Sequence, residues 1–295
     1  MSEPRHAQPL PLGDDGLPYS KGLMARALIA VGVAADRAYE LARRIELDLA
    51  ERGAPAADEE HLESLARETL GEDEGAWAVD RLRRLRRLQS LDVPLIVLIG
   101  GATGTGKSTV AAEVAYRLGI TRLTSTDFIR QTMRAFFSSE FMPAIHTSSF
   151  EAGTAVEPDA TGDPTIVGFL EQSRQVCVGV DAAIRRALTE GWSMVLEGVH
   201  LVPGYIPAAL EGAVIVHAVM SIGDEDVHRV HFHVRDSATG GLRPMDKYLD
   251  RLGDIRRIQT LLVSRAFREG VPVVENANVE RAIDEVVTLV LDAAA

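Results

Sequence analysis

The sequence predicts an α/β protein, a P-loop-type parallel sheet flanked by helices, preceded by a small and mainly helical N-terminal module. Three observations carry this. From residue 93 onward, short apolar runs alternate with helical patterns, as expected for strands covered on both faces. One of those runs, LIVLIGG at 95–101, leads into GATGTGKSTV at 101–110 and then a helix. Before residue 93 the apolar periodicity is that of helices, with no strong strand.

Residues 1 to about 14 are polar and rich in proline and glycine, which predicts a disordered tail. Ser20 is placed to cap a helix over SKGLMARALIAVGV, with Gly32 near its end. In ADRAYELARRIELDLAERG, residues Ala38, Leu41, Ala42, Ile45 and Leu49 recur at helical spacing, and Gly53 follows. Leu62, Leu65, Ala66 and Leu70 mark a third helix before Gly71. A fourth, AWAVDRLRRLRRLQSL, sets Trp77, Leu82, Leu85 and Leu88 against an arginine face.

The pattern changes at Pro94. After LIVLIGG and the glycine-rich loop, TVAAEVAYRLG reads as a helix and TRLTSTD as a second, polar strand. DATGDP is a turn-rich loop, followed by a long helix over 166–191. SMVLEGVH and AVIVHAVMS read as strands, YLDRLGDIRRIQTLLVSRAFREG as one helix, VPVVEN as a last short strand and VERAIDEVVTLVLDAA as the final helix.

Composition narrows the function classes. At 295 residues, with 46% hydrophobic and 25% charged, the chain can bury one large core or two. A formal net charge of -12 argues against non-specific nucleic-acid binding, which relies on a basic surface. Cys177 is the only cysteine, which excludes an internal disulfide and suits a reducing compartment. The N-terminus lacks the apolar core of a signal peptide, and no apolar run approaches the roughly 18 residues of a membrane span. The expected setting is the cytoplasm, without a membrane.

Gly101, Gly106, Lys107 and Ser108 fit G-x-x-x-x-G-K-[ST] in the right context, strand before and helix after. Glycines let backbone N–H groups close around phosphate oxygens, and the helix start adds a positive dipole end. The predicted ATP-binding loop is therefore Gly101, Ala102, Thr103, Gly104, Thr105, Gly106, Lys107, Ser108 and Thr109. Lys107 is expected between the β- and γ-phosphates and the Ser108 hydroxyl on Mg²⁺.

The remaining site residues are sought beyond the other strand ends, where ligands of an open parallel sheet collect. Asp127 follows the second strand, with Arg130 one helical turn later. Asp127 is either the acceptor of a proton from an attacking hydroxyl or a helix cap, and Arg130 can hold an acidic group of the same substrate. Glu197 follows an apolar strand, where P-loop proteins place an acid toward magnesium or its waters, and His200 on the same loop is a candidate contact to substrate or metal. Between Arg229 and Arg257 bases outnumber acids around RDSATGGLRP, the composition of a closing flap. Arg243 and Arg251 are its expected phosphate contacts, alongside ordinary i,i+4 ion pairs. No N-K-x-D base-recognition signature occurs, which favours a small-molecule kinase over a GTPase. A kinase acting on another sugar acid, a sugar phosphate or a nucleoside, and a non-catalytic adenine-nucleotide sensor, are the alternative readings.

Five segments together, PYSKGLMARAL, GGATGTGKST, TDFIRQTMR, HTSSF and LEGVHLVPG, in this order, resemble archaeal-type 2-phosphoglycerate kinase over nearly the whole chain after the tail. The resemblance implies an ATP-cone-like regulatory domain at 15–92, with Lys21 and Arg26 as candidate nucleotide contacts, and a P-loop kinase domain at 93–295. It implies ATP-dependent phosphorylation of 2-phosphoglycerate to 2,3-bisphosphoglycerate with Mg²⁺, and leaves homo-oligomerisation open. An acceptor already carrying a carboxylate and a phosphate needs several cations. Arg130, Arg134, Arg243 and Arg251 are expected to supply them, helped by the hydroxyls of Thr147, Ser148 and Ser149.

Overall fold

The computed structural model describes residues 19–54, 58–156, 161–238 and 245–293. The tail at 1–14 and Arg243 lie outside the described residues. The chain divides into two compact units. One holds the described residues up to Asp92 with Tyr116–Gly119 and the chain from Val287; the other holds Val93–Ala115 and Ile120–Val286.

The first unit is built on four helices, α1 (Lys21–Ala30), α2 (Ala35–Arg52), α3 (Glu59–Leu70) and α4 (Glu72–Gln89). Their ends follow from local chemistry. The Ser20 side chain accepts from Leu23 N at 3.4 Å and the Asp58 carboxylate from His61 N at 2.8 Å, satisfying donors that the first turn leaves open. α2 buries Ala38, Leu41, Ala42, Ile45 and Leu49, the stripe its spacing dictates. Each such leucine or isoleucine is worth roughly 1.5–3 kcal/mol on burial. Lys21 pairs with Glu46 at 2.9 Å, and the Arg26 guanidinium lies 5.7 Å from the Tyr116 ring centroid.

The second unit carries a five-stranded, all-parallel sheet of β1 (Leu95–Gly101), β2 (Leu123–Ser125), β3 (Met194–Glu197), β4 (Val214–Ser221) and β5 (Val273–Glu275), in the order β2-β3-β1-β4-β5. β1 is central and buried over its whole length, as its unbroken apolar sequence requires. The intervening helices are α5 (Lys107–Arg117), α6 (Thr126–Phe136), α7 (Pro164–Glu190), α8 (Glu225–Ala238), α9 (Met245–Leu249) and α10 (Leu252–Glu269); α11 (Val279–Asp292) ends the chain. Two apolar clusters cement the sheet to them. One gathers Phe169, Val219, Phe232, Ile255 and Leu262; the other gathers Ile96, Leu98, Val176, Ile184 and Leu196.

Two elements differ from the sequence reading. The segment 248–270 is broken at Asp250–Arg251, where Arg251 takes a non-helical φ of -112° and ψ of 13° just before α10. Tyr248, Leu249 and Leu252, on either side of the break, pack against the same apolar cluster. The flap composition at 235–244 is helical through Ala238, and residues 239–244 lie outside the described residues. Among the described residues, no helix is long and apolar enough to cross a membrane.

Candidate active site

The parallel arrangement brings the loops after β1, β2, β3 and β5 to one edge of the sheet. Register fixes their heights: Glu197 at the end of β3 is level with Ile99 in β1 and Ser125 in β2. The glycine-rich loop leaves β1 at this edge and runs into α5.

Inside the loop, donors converge on a single oxygen. Lys107 Nζ donates to Ala102 O at 2.7 Å, Thr105 Oγ1 at 3.0 Å and Thr105 N at 3.4 Å. Lys107 is buried, and burial lowers its pKa, opposed by the carboxylates of Glu197 and Asp127. Gly106 needs to be glycine: its φ is 80°, and a Cβ would overlap Asn276 Nδ2.

Ser108, at the second position of α5, donates from Oγ to Glu197 Oε1 at 3.1 Å. Both line an open groove of about 410 Å³ with Leu123, Thr124, Ser125 and Phe128. A hydroxyl and a carboxylate are hard oxygen donors, suited to Mg²⁺. Among the described residues no group of three histidine, cysteine or acidic side chains could cage a metal. A cation here would need phosphate oxygens and water for the rest of its shell, which is how Mg²⁺ is usually held.

α6 follows β2 at the same edge. Ser125, not Asp127, caps it, accepting from Phe128 N at 3.0 Å. Asp127 is thereby left exposed at the edge, with Arg130 Nε 3.4 Å from its Oδ1. Arg130 is itself buried, and its Nη1 donates to Ile145 O at 2.9 Å and Thr147 O at 2.8 Å. The guanidinium therefore ties Asp127 to the 143–149 segment.

His200 lies beneath this cluster with no exposed surface. The Gln172 amide donates from Nε2 to Ala144 O at 2.5 Å and Thr147 O at 3.1 Å, so its Oε1 faces His200 Nε2 at 2.9 Å. Nε2 must then carry the ring proton, and Nδ1 accepts from the Thr126 hydroxyl at 2.8 Å. Burial pushes the His200 pKa down to about 4, so the ring is neutral. Both ring nitrogens of His200, a candidate contact to substrate or metal, are thus bonded within the protein. Gly198, with φ 152°, lets the Glu197 loop pass so close that a Cβ there would overlap Thr126.

The other expected site residues are placed as follows. The Thr147 hydroxyl donates to Ala144 O at 3.0 Å, the Ser148 carbonyl accepts from Glu151 N at 2.9 Å, and Ser149 is buried. Arg134 is exposed and donates to Gln131 at 3.0 Å, and Arg251 pairs with Asp254 at 3.4 Å, each near its own place in sequence. Sequence reasoning missed Gln172, a polar residue on the buried face of α7. It also missed His228, His231 and Asn276, which reach the carbonyls of the glycine-rich loop. The signal for the histidines was their i,i+3 spacing, which places both on one helix face.

Comparison with known proteins supplies the family. The 2-phosphoglycerate kinase of Methanopyrus kandleri is 36% identical over 93% of this chain and 84% of its own. That of Pyrococcus furiosus is 36% identical over 94% of this chain and 90% of its own. That of Methanothermobacter thermautotrophicus is 38% identical over 92% of this chain and 89% of its own. The chain belongs to the 2-phosphoglycerate kinase family. No family model and no solved structure matches it. Family membership covers both units, so the helical unit is part of what these kinases share with the chain rather than an addition to it.

Proposed function

We propose that the protein transfers the γ-phosphoryl group of ATP to the free hydroxyl of 2-phosphoglycerate, giving 2,3-bisphosphoglycerate and ADP. The observation that carries this is family membership over more than nine-tenths of the chain. It is supported by a phosphate loop, an oxygen pair and an exposed carboxylate gathered at one sheet edge.

The residues divide the work. Lys107 exchanges its bond to Ala102 O for the β- and γ-phosphate oxygens, whose charge restores a partner to a buried ammonium. Ser108 and Glu197 would hold Mg²⁺, which when bound neutralises charge between those phosphates. Asp127 accepts the proton as the acceptor hydroxyl oxygen bonds to the γ-phosphorus and the bond to the bridging oxygen of ADP breaks. Arg130 fixes Asp127, and its guanidinium is assigned to the acceptor's anionic groups. His200 and Gln172 position rather than touch. Thr147, Ser148 and Ser149 shape the acceptor wall, and Arg134 and Arg251 stand as outer cations. The helical unit is read as a regulatory ATP-cone-like domain at 15–92, in which Lys21→Ala should alter the response to adenine nucleotides and not the chemical step.

Asp127→Asn tests the assignment. It keeps size and removes the proton acceptor, so kcat should fall about 10²–10⁴-fold with the ATP KM little changed. An unchanged kcat where chemistry is rate-limiting would refute the role and turn attention to Glu197. A panel of acceptors with labelled ATP tests the substrate: preference for 3-phosphoglycerate, a sugar phosphate or a nucleoside over 2-phosphoglycerate would overturn the proposal.

A further inference from the structure

Three side chains from outside the phosphate-loop motif hold three consecutive carbonyls of that loop. His228 Nε2 donates to Thr103 O at 2.9 Å, His231 Nδ1 to Gly104 O at 3.1 Å and Asn276 Nδ2 to Thr105 O at 2.9 Å. The first two project from α8, three residues apart; the third follows β5. A carbonyl only accepts, so each contact fixes which nitrogen carries the proton.

The consequence follows from peptide geometry. In a planar trans peptide, the C=O of one residue and the N–H of the next point in opposite directions. Pinning the carbonyls of 103–105 outward turns the N–H groups of Gly104, Thr105 and Gly106 into the loop. Thr105 N, Thr105 Oγ1 and Lys107 Nζ all point there, gathered on Ala102 O. Unbraced, a loop this rich in glycine would sample other peptide orientations, and a nucleotide would have to order it on arrival.

Packing shows that the brace is fitted to the loop. His228 and Asn276 are buried, and the His228 ring stacks on Phe232 at 5.1 Å between centroids. A Cβ on Gly104 would overlap Phe232 and one on Gly106 would overlap Asn276, so the glycines are required by the brace as well as by the ligand. His228 Nδ1 and Asn276 Oδ1 are buried with no partner. The fold tolerates those two orphans, each carrying a desolvation cost, while the opposite end of each side chain stays on the loop.

We infer that His228, His231 and Asn276 are positioning residues for the ATP phosphates, presetting the loop's N–H groups before nucleotide binds. The inference rests on the kinase reading. The test is calorimetric binding of ATP without acceptor, with KM measured separately for each substrate. His228→Leu, His231→Leu and Asn276→Leu should each raise the ATP Kd and KM about tenfold, the loss expected of one hydrogen bond to a buried acceptor. The 2-phosphoglycerate KM should stay put. Rescue should follow the atom that donates: His228→Gln restores a donor at the Nε2 position and His231→Asn one at the Nδ1 position. Asn276→Asp, of equal shape without the donor, should be no better than leucine. Leucine variants that bind ATP like the wild type would overturn the inference. So would glutamine and asparagine variants as weak as leucine, which would make the role packing. If His228→Leu does not fold, the partly exposed His231 carries the test. Wild-type protein that binds no ATP would overturn the kinase reading and this inference together, whereas normal wild-type binding with indifferent variants overturns the inference alone.

Discussion

Acidification should destabilise the α/β unit well before its carboxylates titrate. Burial pushes both His200 and His217 down to about 4 in the folded protein, against 6.5 for an exposed imidazole. For His200, Asp127 opposes that shift, and Arg130 and Lys107 add to it. Between pH 6.5 and 4 the unfolded chain binds protons that the folded one refuses, so stability is complete above 6.5 and is lost as pH falls. From pH 7 to 5 each histidine removes about 2 kcal/mol, and the pair about 4 kcal/mol. His228, also lowered by burial, acts in the same direction. That is a large share of the roughly 5–15 kcal/mol that holds a typical domain folded. Urea midpoints at pH 7, 6 and 5, read from Trp192 in a Trp77→Phe background, would report this unit, since the chain has 2 tryptophans. His200→Gln should lower stability at pH 7 yet flatten the dependence by the share of one histidine. A wild-type midpoint that does not move between pH 7 and 5, or an unchanged slope in the variant, would refute the reasoning.

Three further outcomes follow from the same geometry. Lys107→Ala should cost about 10²–10³-fold in kcat while leaving thermal stability equal or higher, because a buried ammonium is removed; turnover assays and melting curves check both halves. Glu197→Gln keeps a partner for Ser108 Oγ but removes a charge, so the Mg²⁺ concentration for half-maximal rate should rise, which a metal titration measures. Gly198→Ala should lower stability by about 1–3 kcal/mol, as the new methyl meets Thr126, and should depress activity by shifting Glu197; denaturant titration with parallel kinetics tests it.

Much of the fold was legible because most of the strands are short, apolar and followed by punctuation. β1 announces itself by seven buried residues in succession, and α2 by a stripe at helical spacing. β2 was harder: its Leu123 is exposed and its other two residues half-buried, so only its place between two helices marks it as a strand. The break before α10 was not read from the sequence, because a single weak helix former such as Asp250 inside a stretch of helical spacing is no stop signal by itself.

The candidate site was legible where a fixed motif names its residues and illegible where those residues need support. Asp127 and Glu197, as candidates, lie at or just past strand ends, and Lys107 and Ser108 open the helix after the glycine-rich loop, all of them places a sequence reading can find. The charge-rich stretch from Arg229 was read for its arginines, yet the described contacts to the loop come from His231 within it and His228 just before it, whose partners are carbonyls. A carbonyl has no residue type, so no pattern in the sequence names it as a partner. His200 illustrates the converse error. Its position beside Glu197 suggested contact with substrate or metal, whereas its bonds run inward to Thr126 and Gln172. The distinction is physical: a histidine between two fixed partners of opposite polarity is locked in one tautomer and kept neutral. It can hold the loop after β3 against α6 and α7, and it has no lone pair left for a metal.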